Sequence, residues 1–314
     1  MATDPTAASG KKVVLMDTGN YPSFSNFLNE TWEFTGTDWS NTSATLVNAN
    51  GPLPGRVNFV MQFDGVNVML YGGQGASAAA GVLEDTWVWS TSGQTWSQAA
   101  PATVPFGRYN AVDGYLASVG AAGGVVMFSG ETTLSQLVET WLWDGTASTW
   151  TQVTVANGAG PAARIGAAMA GSGAIGGVQS VVLFGGQGTN SQFNDTWKFT
   201  AVAGGTWTQL STATSPSVRS GHCMAYDTVN SLWVMFGGKN EYNYLVETWT
   251  FDGTTWTQAS VANGAGPAGR INAQMTFDPQ SGTTIMFGGV YATANYPAND
   301  TWSFNGSTKT WTQL

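Results

Sequence analysis

Apolar positions along the chain come in short runs of strand length, broken by Gly-Gly, Asp-Gly, Asn-Gly and Asp-Pro. The stretch from Arg219 to Trp256, RSGHCMAYDTVNSLWVMFGGKNEYNYLVETWTFDGTTW, holds four such runs. Gly237-Gly238 closes the second, and Glu247-Thr248-Trp249 lies in the third. Runs such as Val-Met-Phe, Thr-Trp-Thr-Phe and Thr-Trp-Thr-Gln are β-branched and aromatic, the chemistry of strands rather than helices. No segment sustains a 3.6-residue apolar period, so the pattern predicts an all-β chain with essentially no helix.

The layout repeats. An aromatic followed by Gly-Gly occurs at 71–73, 184–186, 236–238 and 287–289, with Phe128-Ser129-Gly130 a variant and Met16-Asp17-Thr18-Gly19 a worn copy. Acid-Thr-Trp occurs six times, ending at Trp32, Trp87, Trp141, Trp197, Trp249 and Trp302, with spacings of 55, 54, 56, 52 and 53 residues. A second tryptophan follows each, at positions 39, 96, 150, 207, 256 and 311. A unit of this length with Gly-Gly closing one strand and a late Trp resembles the kelch repeat, over almost the whole chain. The wording acid-Thr-Trp is similar to that of bacterial kelch-like proteins of unassigned function. The resemblance implies a β-propeller in which each repeat forms a four-stranded antiparallel blade. The expected fold is a single six-bladed kelch-type propeller over 1–314, with blades at about 1–45, 56–100, 108–153, 164–210, 219–259 and 270–314.

Blade 1 departs from the others. MATDP aligns with Met275 to Pro279, the end of a first strand, so the inner strand of blade 1 is expected to be truncated or missing, or the chain to be cut from a longer parent. Strands 2 to 4 are expected at about 12–17, 30–35 and 38–42. Blades 2 to 6 begin at Arg56, Arg108, Arg164, Arg219 and Arg270, which are all the arginines of the protein.

In an antiparallel blade the arginine, the Gly-Gly and the acid share one end. Strands 1 and 3 lie two strand spacings apart, roughly 9–10 Å, and side chains on strand 2 would block the way between them. Glycine has none. The arginine is therefore expected to cross the Gly-Gly backbone to the acid of its own blade: Arg56 to Asp85, Arg108 to Glu139, Arg164 to Asp195, Arg219 to Glu247 and Arg270 to Asp300. Glu30 has no arginine of its own. The alternative, a ring of arginines binding an anion, would not require a matched acid in each blade.

Charge and composition narrow the function. Only 9% of residues are charged and the net charge is −9. With every arginine committed, no basic stripe is left for a phosphate backbone, which argues against nucleic acid. No run of about 18 apolar residues exists, so membrane insertion is not expected, and the N-terminus has no signal-peptide core. The polar, weakly charged surface suits an extracellular, cell-surface or virion-associated protein. Cys223 is alone and reads as a buried strand thiol. His222 falls where Ala111, Ala167 and Ala273 stand in other blades, and reads as a packed strand residue. Galactose oxidases, which share the expected fold, hold copper with two histidines, tyrosines and a Cys–Tyr crosslink; one histidine cannot build that site. No zinc spacing, Ser-His-Asp set or phosphate loop appears, so no catalytic residue, metal or cofactor is assigned.

The loops joining strands 2 and 3 vary most. An apolar residue four before each third-strand Trp, Leu28, Leu83, Leu137, Phe193, Leu245 or Ala298, reads as structural. The aromatics left over are Tyr21, Phe24 and Phe27 in blade 1, Tyr242 and Tyr244 in blade 5, and Tyr291 and Tyr296 in blade 6. In a closed propeller these blades are neighbours, so the seven residues would form one sector. They suit a glycan or protein partner, or else cover the defect in blade 1. The reading is a non-enzymatic binding or structural module. A self-assembling virion or filament component is one alternative, and a carbohydrate-active enzyme using channel carboxylates is another.

Overall fold

Each repeat folds into one sheet of four strands whose neighbours are antiparallel and stand in chain order. The computed structural model describes residues 1–3, 13–17, 30–42, 53–75, 81–90, 93–155, 159–261, 265–291 and 297–314. The chain divides into two compact units, Met1–Val153 and Thr154–Leu314, with three repeats in each. The fold is all-β, built from propeller blades. Among the described residues one short 3-10 turn, Val202–Gly204, interrupts the strands.

The first unit contains three sheets. The first comprises Ala2–Thr3, Val13–Asp17, Glu30–Phe34 and Trp39–Asn41. The second comprises Val60–Phe63, Val68–Tyr71, Thr86–Ser90 and Thr95–Ala99, and the third Val112–Leu116, Gly124–Phe128, Thr140–Asp144 and Thr149–Val153. In the second unit the inner strands are Ala168–Ile175, Cys223–Asp227 and Gln274–Asp278. Five sheets thus have inner strands of four to eight residues led by an arginine. Among the described residues, the first sheet pairs Ala2 with Val14 and Thr3 with Val13. The full blades number five, one fewer than the six expected, and the first repeat forms a sheet with a two-residue inner strand.

The strands differ in burial as their place in a blade dictates. Second strands such as Val68–Tyr71 and Gly124–Phe128 are buried at every position. Fourth strands alternate: Trp207 is buried while Thr206, Thr208 and Gln209 face solvent. Between the second and third sheets, Met69 and Tyr71 pack with Met127, Trp143 and Trp150. Phe184 packs with Met235 and Trp256 between the fourth and fifth. Phe236 packs with Met286 and Trp311 between the fifth and sixth.

Several polar devices join adjacent blades. The fourth-strand tryptophan donates its indole N–H to the threonine of acid-Thr-Trp in the preceding blade, each at 2.9 Å: Trp96 to Thr31, Trp150 to Thr86, Trp256 to Thr196 and Trp311 to Thr248. The second device is main chain only. The N–H of Asn110 donates to the carbonyl of Asn58, that of Gly221 to Gly166, and that of Asn272 to Gly221, at 2.7–2.9 Å. All these residues stand two after the arginine, with φ between 56° and 68°. That left-handed region admits Asn and Gly at low cost. The kink corrects the expected strand start. The arginine lies on a lead-in segment, and the inner strand begins four residues later, at Val60, Val112, Ala168, Cys223 and Gln274.

Candidate functional site

The arginines are structural bolts. Each Nε donates to the carbonyl two residues before it: Pro54, Phe106, Ala162, Ser217 and Ala268. Each Nη1 donates to the carbonyl of Gly72, Ser129, Gly185, Gly237 or Gly288, on the strand between arginine and acid. The fork then reaches the carboxylate. The aspartates take two prongs: Arg56 to Asp85 at 2.5 and 2.7 Å, Arg164 to Asp195 and Arg270 to Asp300 at 2.6 and 2.9 Å. The glutamates take one, Arg108 to Glu139 at 2.5 Å and Arg219 to Glu247 at 2.6 Å. Every arginine side chain is 0–1% exposed, so none of them is available to an anion.

A third member of the bolt was not legible as such. The tryptophan of acid-Thr-Trp donates its indole N–H back to the acid two residues earlier, in all six repeats. Glu30, without an arginine, receives Trp32 at 3.0 Å. Burial pushes the carboxyl pKa of Asp300 up, but the hydrogen bonds from Arg270, Trp302 and Tyr291 outweigh it and hold the group at about 2. Asp85, Glu139 and Glu247 are likewise held below their ordinary values, against desolvation, by arginine and indole N–H groups.

Glycine has a further reason to stand beside the arginine. Gly186 has φ 102°, and a Cβ there would meet Ala167 Cβ at 2.8 Å. Its N–H donates to the carbonyl of Arg219 in the next blade, as Gly73 does to Arg108 and Gly238 to Arg270. The pair therefore also joins one blade to the next. In blade 3 Ser129 takes the first glycine's place at φ 60°, and its hydroxyl donates to the Leu137 carbonyl at 2.7 Å. Thr18 and Gly19 lie outside the described residues.

Cys223 opens the buried inner strand of blade 5; His222, expected on that strand, is buried one residue before it, on the lead-in segment that follows the arginine. Nε2 of His222 lies 3.2 Å from the Phe184 carbonyl; burial first, and the charge of Arg219 second, depress its pKa to about 3. Burial pushes the Cys223 thiol up to about 12. Among the described residues no group of three or more His, Cys, Asp or Glu side chains is disposed to hold a metal ion.

The seven candidate aromatics separate. Tyr21, Phe24, Phe27 and Tyr296 lie outside the described residues. Tyr291 belongs to a bolt: Arg270 sits 4.7 Å from its ring centroid, and its hydroxyl donates to Asp300 at 2.8 Å. Phe193 has a similar duty beneath Arg164, at 4.1 Å. Tyr242 and Tyr244 are different. They line one wall of a cleft of about 680 Å³ at the arginine end of blades 4 and 5. Gln187, Asn190, Ser191 and Gln192 form the facing wall, and Lys239, Asn240, Glu241, Asn243 and Val218 complete the lining.

Both walls are turns of one design. In blade 5 the Asn240 N–H donates to the Asn243 carbonyl, and the Asn240 side chain accepts from the N–H groups of Tyr242 and Asn243, at 2.8–3.0 Å. In blade 4 the Gly188 N–H donates to the Ser191 carbonyl. Gln192 Nε2 joins the two turns, reaching Ser220 Oγ at 3.0 Å and the Lys239 carbonyl at 3.3 Å. Blade 3 repeats the turn with Thr132 as the capping residue. The tip residue in the three blades is Leu134, Asn190 and Tyr242; Leu134 is 93% exposed and Tyr242 80%. The facing wall was missed in the sequence, although a signal was present. The second glycine and the acid stand nine residues apart in all three blades, at 130 and 139, 186 and 195, and 238 and 247. Equal loops in blades 4 and 5 place equivalent residues on the two walls of the cleft.

Residues 173–314, all in the second unit, match the family model described as the KLHDC2/KLHL20/DRC7 Kelch-repeats domain. That match, together with the propeller blades, supports a kelch-repeat β-propeller family. Among curated proteins the chain is similar to multiple epidermal growth factor-like domains protein 8 of Rattus norvegicus, 28% identical over 255 residues, and of Mus musculus, 27% identical over the same length. Each match covers 73% of this chain and 8% of the relative. The tRNA wybutosine-synthesizing protein 4 of Emericella nidulans is 29% identical over 164 residues, covering 50% of this chain and 15% of that protein. The chain thus spans a small part of the length of these relatives. Among the described residues no helix is long and apolar enough to cross a membrane.

Proposed function

We propose that this chain is a non-enzymatic docking module that holds its partner at the strand-2 to strand-3 loops of blades 4 and 5. The observation that carries the reading is Tyr242, a large aromatic left 80% exposed on a turn fixed by three hydrogen bonds, at the edge of a polar cleft. Exposed aromatics on rigid supports are the usual energetic centres of binding surfaces. Kelch propellers generally bind protein partners, which supports the docking class. The fold supplies stiffness through its bolts and leaves the loop tips to the ligand, the usual division between scaffold and function. The low charge favours an extracellular, cell-surface or virion setting, where the partner is a glycan or a protein.

The test is array binding with the full chain, a Tyr242→Ala, Tyr244→Ala double variant, and Leu134→Ser as a control on the equivalent turn of blade 3. The arrays carry glycans and secreted proteins. A ligand bound by the parent and the control, and lost by the double variant, supports the reading. A ligand bound equally by all three places docking elsewhere.

A further inference from the structure

Resting on that reading, we propose that the cleft between the blade 4 and blade 5 turns is a binding site for a neutral oligosaccharide. A sugar ring presents two chemistries at once. One is an apolar C–H face, which stacks on an aromatic ring; the other is a rim of hydroxyls, each both donor and acceptor. A complementary site therefore needs an aromatic platform together with groups that can donate and accept. Tyrosine, asparagine and serine side chains supply these, whereas carboxylates accept only and ammonium groups donate only.

The cleft meets this description. Tyr242 and Tyr244 provide rings on one wall. The side chains of Asn190, Ser191 and Asn243 make no hydrogen bond among the described residues, which leaves their donors and acceptors for a ligand. The volume, about 680 Å³, falls within the roughly 300–1,000 Å³ typical of small-ligand sites. Ordering costs are low because the walls are already fixed, by the turn hydrogen bonds and by the Gln192 amide that ties one turn to the other.

Rival ligands fit less well. A peptide anchors through an aliphatic or aromatic side chain in a desolvated pocket, and among the described residues Val218 is the one aliphatic side chain lining the cleft. A sulfated or phosphorylated ligand calls for a cluster of cations, and here Lys239 is matched by Glu241. The tip position is also free to vary. Blade 3 puts Leu134 on the same turn, so the fold does not dictate tyrosine at 242.

The experiment is calorimetric titration of the full chain with neutral hexasaccharides of glucose, xylose, mannose, galactose and N-acetylglucosamine. Uronate and sulfated counterparts and an array of secreted proteins run beside them. The expected result is binding of at least one neutral sugar, unchanged by salt, weakened about tenfold or more in Tyr242→Ala and several-fold in Asn190→Ala, and unaffected in Leu134→Ser. Thermal unfolding of Tyr242→Ala checks that the fold is intact. Binding confined to the anionic sugars and suppressed by salt overturns the proposal, as does failure of every sugar in the panel. If instead a protein binds and is lost in Tyr242→Ala, the carbohydrate assignment falls and the docking module stands. If no ligand of any class responds to Tyr242→Ala, both fall.

Discussion

Arg164 and Asp195 close a two-pronged pair across the backbone of Gly185, with the guanidinium completely buried and the ring of Phe193 beneath it. Removing one partner of such a pair strands the other without its charge complement. Arg164→Ala is expected to cost about 3–5 kcal/mol, read as a lowered urea midpoint. Arg164→Lys retains the charge but not the fork that serves Ala162, Gly185 and Asp195 together, so it is expected to recover only part of the loss. Recovery to the parent value would show that charge alone holds the blade.

The bolts make the protein sensitive to acid. The carboxyl groups of Asp85, Glu139 and Glu247 lie below their ordinary values in the folded state, and that of Asp300 at about 2. The unfolded chain binds protons first, so this contribution is full above the ordinary values of 3.8 and 4.5 and is lost as pH falls below them, for Asp300 down to about 2. Denaturant midpoints measured across that range should fall. In Asp300→Asn part of this slope should disappear.

His222 adds a step at higher pH with the same sign. Its folded pKa is about 3 against an ordinary value of 6.5, so the neutral ring is favoured by folding. Stability from this group is complete above pH 6.5 and declines as pH falls towards 3. His222→Ala, which copies blades 3, 4 and 6, is expected to be less stable at pH 7 through lost packing. Its stability should be nearly flat between pH 6.5 and 5, where the parent's falls. Parallel slopes in the two proteins would remove His222 as the source.

The indole clasp between blades depends on one hydroxyl. Thr196→Val keeps the shape but leaves the Trp256 N–H buried without an acceptor, at a cost of about 1–3 kcal/mol. Thr196→Ser restores the acceptor and should recover most of it. Unfolding followed by tryptophan fluorescence separates the two variants. Equal loss in both would assign the effect to the methyl group.

Much of the bolt was legible because chemistry repeated at fixed intervals. One arginine, one Gly-Gly and one acid per repeat could be placed at the same end of a blade by strand direction alone. The role of tryptophan in acid-Thr-Trp was not, because an aromatic on a strand reads as core whether or not its N–H has a partner. The kink after each arginine was missed for a related reason. Asn58, Asn110 and Asn272 occupy it in three blades and Gly166 and Gly221 in two, and these residues share a backbone preference rather than a side-chain chemistry. Of the aromatic sector, Tyr242 and Tyr244 border a cleft, while Tyr291 is held by Arg270 and Asp300. Exposure and commitment of a side chain depend on its neighbours in space, which composition does not give.

The hydrogen bonds that run from Asn58 to Asn110, and from Gly166 through Gly221 to Asn272, use peptide groups alone. A seam of this kind is indifferent to which repeat stands on either side. A blade can in principle be copied, dropped or exchanged with another of its kind and still meet its neighbour on the same terms. Loop tips such as Leu134, Asn190 and Tyr242 can then diversify one blade at a time, because novelty at the rim need not be negotiated with the joint. A repeat chain built in this way can acquire new specificities by duplication first and substitution afterwards.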